Sequence, residues 1–182
     1  MHSTDTSPAP LHGERADLLA SLAHARFFLR HTSRGLTTEQ AALQPTASTL
    51  SIGGLIKHVS AVEQGWARFI HGGAEAMTQG QKPFSEWTAE DFAEREREFQ
   101  LQPGETLEGV LAAYEEVASE VDGLVRSEPS LDTAYELPKA PWNTDVAWSI
   151  RRALLHIVAE TAQHAGHADI IRESIDGAQS MA

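Results

Sequence analysis

Cysteine is absent from this 182-residue sequence. Disulfides, thiolate metal ligands and a protein thiol nucleophile are thereby excluded. Any metal must be held by histidine and carboxylate, and any sulfur chemistry must bring its sulfur from outside. Runs of β-branched residues are missing too and helix formers dominate, which points to an all-α fold. No stretch approaches the ~18 consecutive apolar residues of a membrane span. The opening Met1-His2-Ser3-Thr4-Asp5-Thr6-Ser7-Pro8-Ala9-Pro10 lacks the charged and apolar regions of a signal peptide, so a cytoplasmic location is expected. Basic residues are scarce: 14 Lys and Arg stand against 26 Asp and Glu, a formal charge of −12. Such a surface repels phosphates, and neither nucleic acid nor membrane is an expected partner.

What is present reads as residues 1–13, a flexible arm, followed by one domain over 14–182. A first helix is expected from Glu14 to about Arg34, stopped by Gly35, and His24 and His31 on it read as surface or boundary histidines. Thr37 to Gln40 has the form of a capped helical turn. A second long helix starts after Ser51 and runs to Gly72-Gly73, with Leu55, Val59, Val62, Trp66 and Phe69 as its core face. His58 sits at the edge of that stripe and, taken alone, reads as a core histidine. The pair Gly53-Gly54 admits three readings: close approach of another backbone, open space beside His58, or a frayed first turn. Residues 74–103 form a long crossover with a short charged helix whose alternating charges read as a solvated face. A third helix follows over Thr106 to Arg126, then a connection in which Tyr135 and Leu137 can fold back on the bundle.

The last helix, begun by Asp145 or Ser149 and ended by Gly177, carries the densest chemistry. Leu154, Leu155, Val158, Ala162, Ala165 and Ile170 supply its apolar pattern. His156, Glu160 and His164 are spaced i, i+4, i+8 and stack along one face, with His167 three residues on. The spacing leaves two readings open, a divalent-metal site or a polar stripe on a solvated face, and a further ligand from elsewhere in the chain is needed to choose. Trp142 and Trp148 stand at the entrance of this helix, where they can line a pocket or simply pack.

Gly53-Gly-Leu-Ile-Lys-His58-Val, followed by Glu63 and Trp66, together with Leu154-Leu-His-Ile-Val-Ala-Glu160-Thr-Ala-Gln-His164-Ala-Gly-His167, resembles the DinB-like metalloprotein superfamily. Within it the chain is similar to the branch of proteins related to mycothiol-dependent enzymes, with maleylpyruvate isomerase N-terminal domains as the reference. The resemblance implies a four-helix bundle with a long crossover and a divalent metal held by His58, Glu160 and His164. Many relatives have His where Glu160 stands; the Glu-x-x-x-His form is that of the isomerase. Two imidazoles and one carboxylate leave a site charge of about +1, and the set tolerates zinc, nickel, iron or manganese, with zinc favoured. The sequence stops at Ala182 without the isomerase's C-terminal domain, so that substrate is not expected.

The activity implied is a metal-dependent transfer of a low-molecular-weight, mycothiol-type thiol to a small electrophile, with a metal-bound external thiolate as nucleophile. His156 and His167 flank the ligand set and read first as orienting groups, with acid or base and plain packing as the other readings. Trp66, Trp142, Trp148 and the space at Gly53-Gly54 are the expected pocket walls. A metal-dependent hydrolase and a non-catalytic metal-binding or dimerising bundle are the alternatives, and a homodimer is compatible with each.

Overall fold

The computed structural model describes residues 11–141 and 143–180. The expected arm therefore lies, up to residue 10, outside the described residues. Helix α1 spans Glu14–His31, and a single turn, α2, spans Thr38–Ala41. Helix α3 spans Ile52–Thr78, α4 Ala89–Arg97 and α5 Leu107–Ser127. Strands β1 (Ala134–Glu136) and β2 (Ala147–Ser149) pair antiparallel, Tyr135 opposite Trp148, and deliver the chain into α6, Ile150–Asp176.

Local chemistry sets the boundaries. The hydroxyls of Ser51, Thr106 and Ser149 accept from Gly54 N, Gly109 N and Arg152 N and so cap α3, α5 and α6. Thr37 with Gln40, and Thr88 with Asp91, make reciprocal capping boxes on α2 and α4. Gly177, at φ 79, closes α6 in the left-handed conformation. α1 ends three residues short of the expected Arg34, because Thr32 to Gly35 already turn through local carbonyl bonds. α3 is interrupted at Gly72 and Gly73, and its continuation to Thr78 is a separate turn-and-a-half beyond that kink.

The long helices α1, α3, α5 and α6 pack around two apolar clusters. One contains Leu22, Phe69, Val121, Leu154 and Ile157. The other contains Leu29, Leu55, Ile56, Tyr114, Ala165 and Ile171. α1 and α6 meet the first cluster before the second, α3 and α5 the second before the first. The long helices α3 and α5 thus run in the same direction, and the crossover 79–106, which contains α4, returns along the bundle. The apolar row of α6 is the expected one only in part: Leu154 and Ala165 are buried as expected, but Leu155 and Ile170 are 47% and 62% exposed, and Ala153, Ile157, Ala168 and Ile171 are buried instead. The helix packs against both α1 and α3, and those two contacts fix its rotation.

Between the clusters lies a polar layer. Arg26 of α1, 4% exposed, donates through Nε and Nη2 to both oxygens of Glu63, which is fully buried, and through Nη1 to Asp122 at 2.7 Å. Burial holds the Glu63 carboxyl above the usual carboxylate range in spite of the guanidinium beside it. Tyr114 and Thr161 bring buried hydroxyls to the same layer. Among the described residues no helix is long and apolar enough to cross a membrane.

Gly54 is where the crossover touches α3. A Cβ there would coincide with the Phe99 carbonyl, and one on Gly53 would meet the Leu101 side chain at 2.6 Å. Both glycines are buried in a capped turn, so the close-approach reading holds; the space expected beside His58 is filled by the chain at 99–101. Gly54→Ala is therefore expected to lower stability by about 1–3 kcal/mol, the usual range for forced overpacking. Urea unfolding of the variant checks this.

Candidate metal centre

Four side chains from two helices and the crossover build the site. His58 leaves α3 four residues after Gly54, and its ring stacks on Phe99 with centroids 3.9 Å apart and planes at 23°. The ring is 5% exposed, and its Nδ1 is buried without a hydrogen-bond partner. Glu160 and His164 approach from α6. One potential ligand atom from each of His58, Glu160 and His164 lies within 4.8 Å of the others. Residues a hundred positions apart in sequence are thus brought to one point.

The carboxylate of Glu160 is bracketed by two imidazoles on its own helix. Oε1 lies 3.5 Å from His156 Nε2 and Oε2 lies 3.5 Å from His164 Nε2. His164 turns its other nitrogen to His167, Nδ1 to Nδ1 at 3.5 Å. The two flanking histidines therefore each touch one member of the set, His156 the carboxylate and His167 the imidazole. Trp66 and Trp148 stack on each other, centroids 4.9 Å apart at 13°, and each ring stands 5.1 Å from His156. They wall the His156 side, with Trp66 itself in the core. Trp142 lies outside the described residues.

The electrostatics suit a cation. Burial first, then the neighbouring His164 and Arg95, lowers the His58 pKa to about 4, so its imidazole is neutral at pH 7 and its lone pair is free. Glu160 is held below the usual carboxylate range, first by His164 and despite desolvation, and is ionised. A neutral imidazole with an orphaned buried nitrogen, a second imidazole and a carboxylate form a donor set that fits a divalent ion. Without an ion the same group carries a cost that depends on pH. The unfolded His58 protonates near pH 6.5 and the folded one only near 4, so the unfolded state binds more protons between these values. The metal-free protein should lose stability as pH falls from about 6.5 to about 4, by up to roughly 3 kcal/mol at 1.36 kcal/mol per pH unit. Denaturation of chelator-treated protein across that range checks this, and His58→Gln should flatten the profile.

Sequence reading missed Phe99 and Arg95. Both belong to the long crossover, of which only the alternating charges of the short helix were read as a solvated face; Gly53-Gly54 was the signal that something packs there, without naming what.

The sequence model of the Mycothiol-S-transferase family matches residues 17–177. No curated protein matches the chain. Among solved structures, a conserved protein of locus from Enterococcus faecalis superposes with a TM-score of 0.64 at 13% identity, covering 92% of this chain and 100% of that one. At that identity the likeness speaks for the fold alone.

Proposed function

We propose, since this chain belongs to the Mycothiol-S-transferase family, that it joins the sulfur of a low-molecular-weight thiol to a small electrophile at the His58–Glu160–His164 site. The observation that carries the reading is the buried His58 imidazole meeting Glu160 and His164 in a chain without cysteine. His58, Glu160 and His164 would hold a divalent ion, zinc first among the candidates for a set of two imidazoles and one carboxylate. When bound, such an ion supplies a Lewis acid that lowers the pKa of a coordinated thiol towards neutrality.

The remaining roles fall to the chain's own groups. His156 holds one Glu160 oxygen and His167 one His164 nitrogen, each fixing a neighbour's orientation. Phe99 covers the His58 ring and keeps water from it. Glu160 and His156 are each more than a quarter exposed, so the site opens on that side, beside Trp66 and Trp148.

The test gives purified, metal-loaded protein a panel of electrophiles with mycothiol, bacillithiol or glutathione and follows thiol consumption with and without chelator. Metal-dependent consumption with at least one thiol is expected. His167→Ala should keep the metal and lose only part of the rate. No consumption with any thiol, alongside metal-dependent hydrolysis of an ester or amide, would favour a hydrolase instead.

A further inference from the structure

Arg152 lies one turn before His156 on the face of α6 that carries Glu160 and His164, so four functional groups follow at i, i+4, i+8 and i+12. Its guanidinium carbon sits 4.6 Å from the centroid of the Trp148 ring. That ring is itself fixed: it stacks on Trp66, its indole N–H donates to Asp145 Oδ2 at 2.7 Å, and its backbone is paired with Tyr135. Among the described residues Arg152 has no ion-pair partner, whereas the adjacent Arg151 bridges Glu14 and Asp132. In a chain of net charge −12, a cation spared from its own carboxylates yet held on an aromatic pedestal beside the site is available to an anion from outside.

We infer that Arg152 is a specificity-determining residue of this site and that the electrophile it accepts carries a carboxylate. The inference rests on the transferase reading only for the word electrophile. A thiol has its sulfur to hold it at the centre; an electrophile has no such anchor, and its reacting carbon must be positioned by other groups. Arg152 and Glu160 are eight residues apart, about 12 Å of helix rise. A small molecule and the guanidinium's own reach fill that interval. The planar donor fork suits a carboxylate in two-point contact, which a lysine reproduces only in part.

The test uses the full chain and the intrinsic fluorescence of its tryptophans. Monomethyl succinate, an unreactive monoanion, is titrated against its neutral diester, dimethyl succinate, with and without chelator. The wild-type protein should bind the monoanion at least about tenfold more tightly than the diester, the size expected of a charged hydrogen-bonded contact. Chelator should not remove that preference. Arg152→Gln should abolish it, and Arg152→Lys should restore part of it. In turnover with monomethyl and dimethyl fumarate, Arg152→Gln should raise KM for the monoester at least about tenfold, leave kcat within about twofold and leave the diester unaffected. Equal monoanion binding by wild type and Arg152→Gln, or no preference in the wild type, overturns the inference. If the preference behaves as described but neither the fumarate esters nor any electrophile of the panel consumes any of the three thiols, the transferase reading fails and the anion site stands.

Discussion

Glu160→Gln is expected to abolish thiol transfer and to weaken metal binding by more than about 100-fold, since changing even an outer partner of a metal ligand costs 10–100-fold. The substitution keeps the shape of the side chain and removes its charge. It also replaces an oxygen pair that His156 and His164 bracket at 3.5 Å by an amide that can offer the ion only a neutral oxygen. The same change should appear in stability. An ion that binds only the folded arrangement stabilises it by about 4 kcal/mol at a thousandfold excess over Kd. Chelator should therefore lower the melting temperature of the wild type clearly more than that of Glu160→Gln. Calorimetric titration with zinc, paired with melting curves, measures both. Wild-type affinity in the variant would return Glu160 to the role of a polar surface residue.

Arg26→Met is expected to cost about 3–5 kcal/mol, the penalty for leaving one member of a buried pair alone. Methionine fills much of the volume, so the loss is chiefly electrostatic. Glu63 is fully buried and already held towards its neutral form by desolvation, and Asp122 loses its 2.7 Å partner at the rim. Against a total stability of about 5–15 kcal/mol this is a large fraction, and a melting-temperature drop of at least about 6 °C follows for a chain of this length. Removing both charges, Arg26→Met with Glu63→Leu, should recover most of the loss, because a buried ion pair contributes little over apolar residues of similar volume. Denaturant unfolding of the two singles and the double closes the cycle.

How far the sequence disclosed this molecule depends on the range of each interaction. Helix starts were legible because a cap is local: Ser51, Thr106 and Ser149 each bond an amide three residues on. The long crossover was legible from Gly80, Pro83 and the charge run that interrupt the apolar periodicity. The pairing of His58 with Glu160 and His164 was suggested by family resemblance. Spacing on α6 alone left a solvated stripe equally open. What escaped were contacts decided by packing between distant segments. The rotation of α6 placed Leu155 and Ile170 outward because α1 and α3 both claim its other side. Phe99 reached His58 because the returning crossover lies against Gly54. Arg26 found Glu63 across the polar layer, thirty-seven residues away, with nothing in either local pattern to announce it.

His58, Glu160 and His164 are proposed to hold one divalent ion together. Crystals of the protein grown with zinc and measured at the zinc absorption edge test this most directly. One anomalous peak is predicted between α3 and α6, with a nitrogen of His58, a nitrogen of His164 and an oxygen of Glu160 each about 2.0–2.2 Å from it. A peak bound by other residues, or none with zinc in excess, would show that these three residues do not form the ion's site.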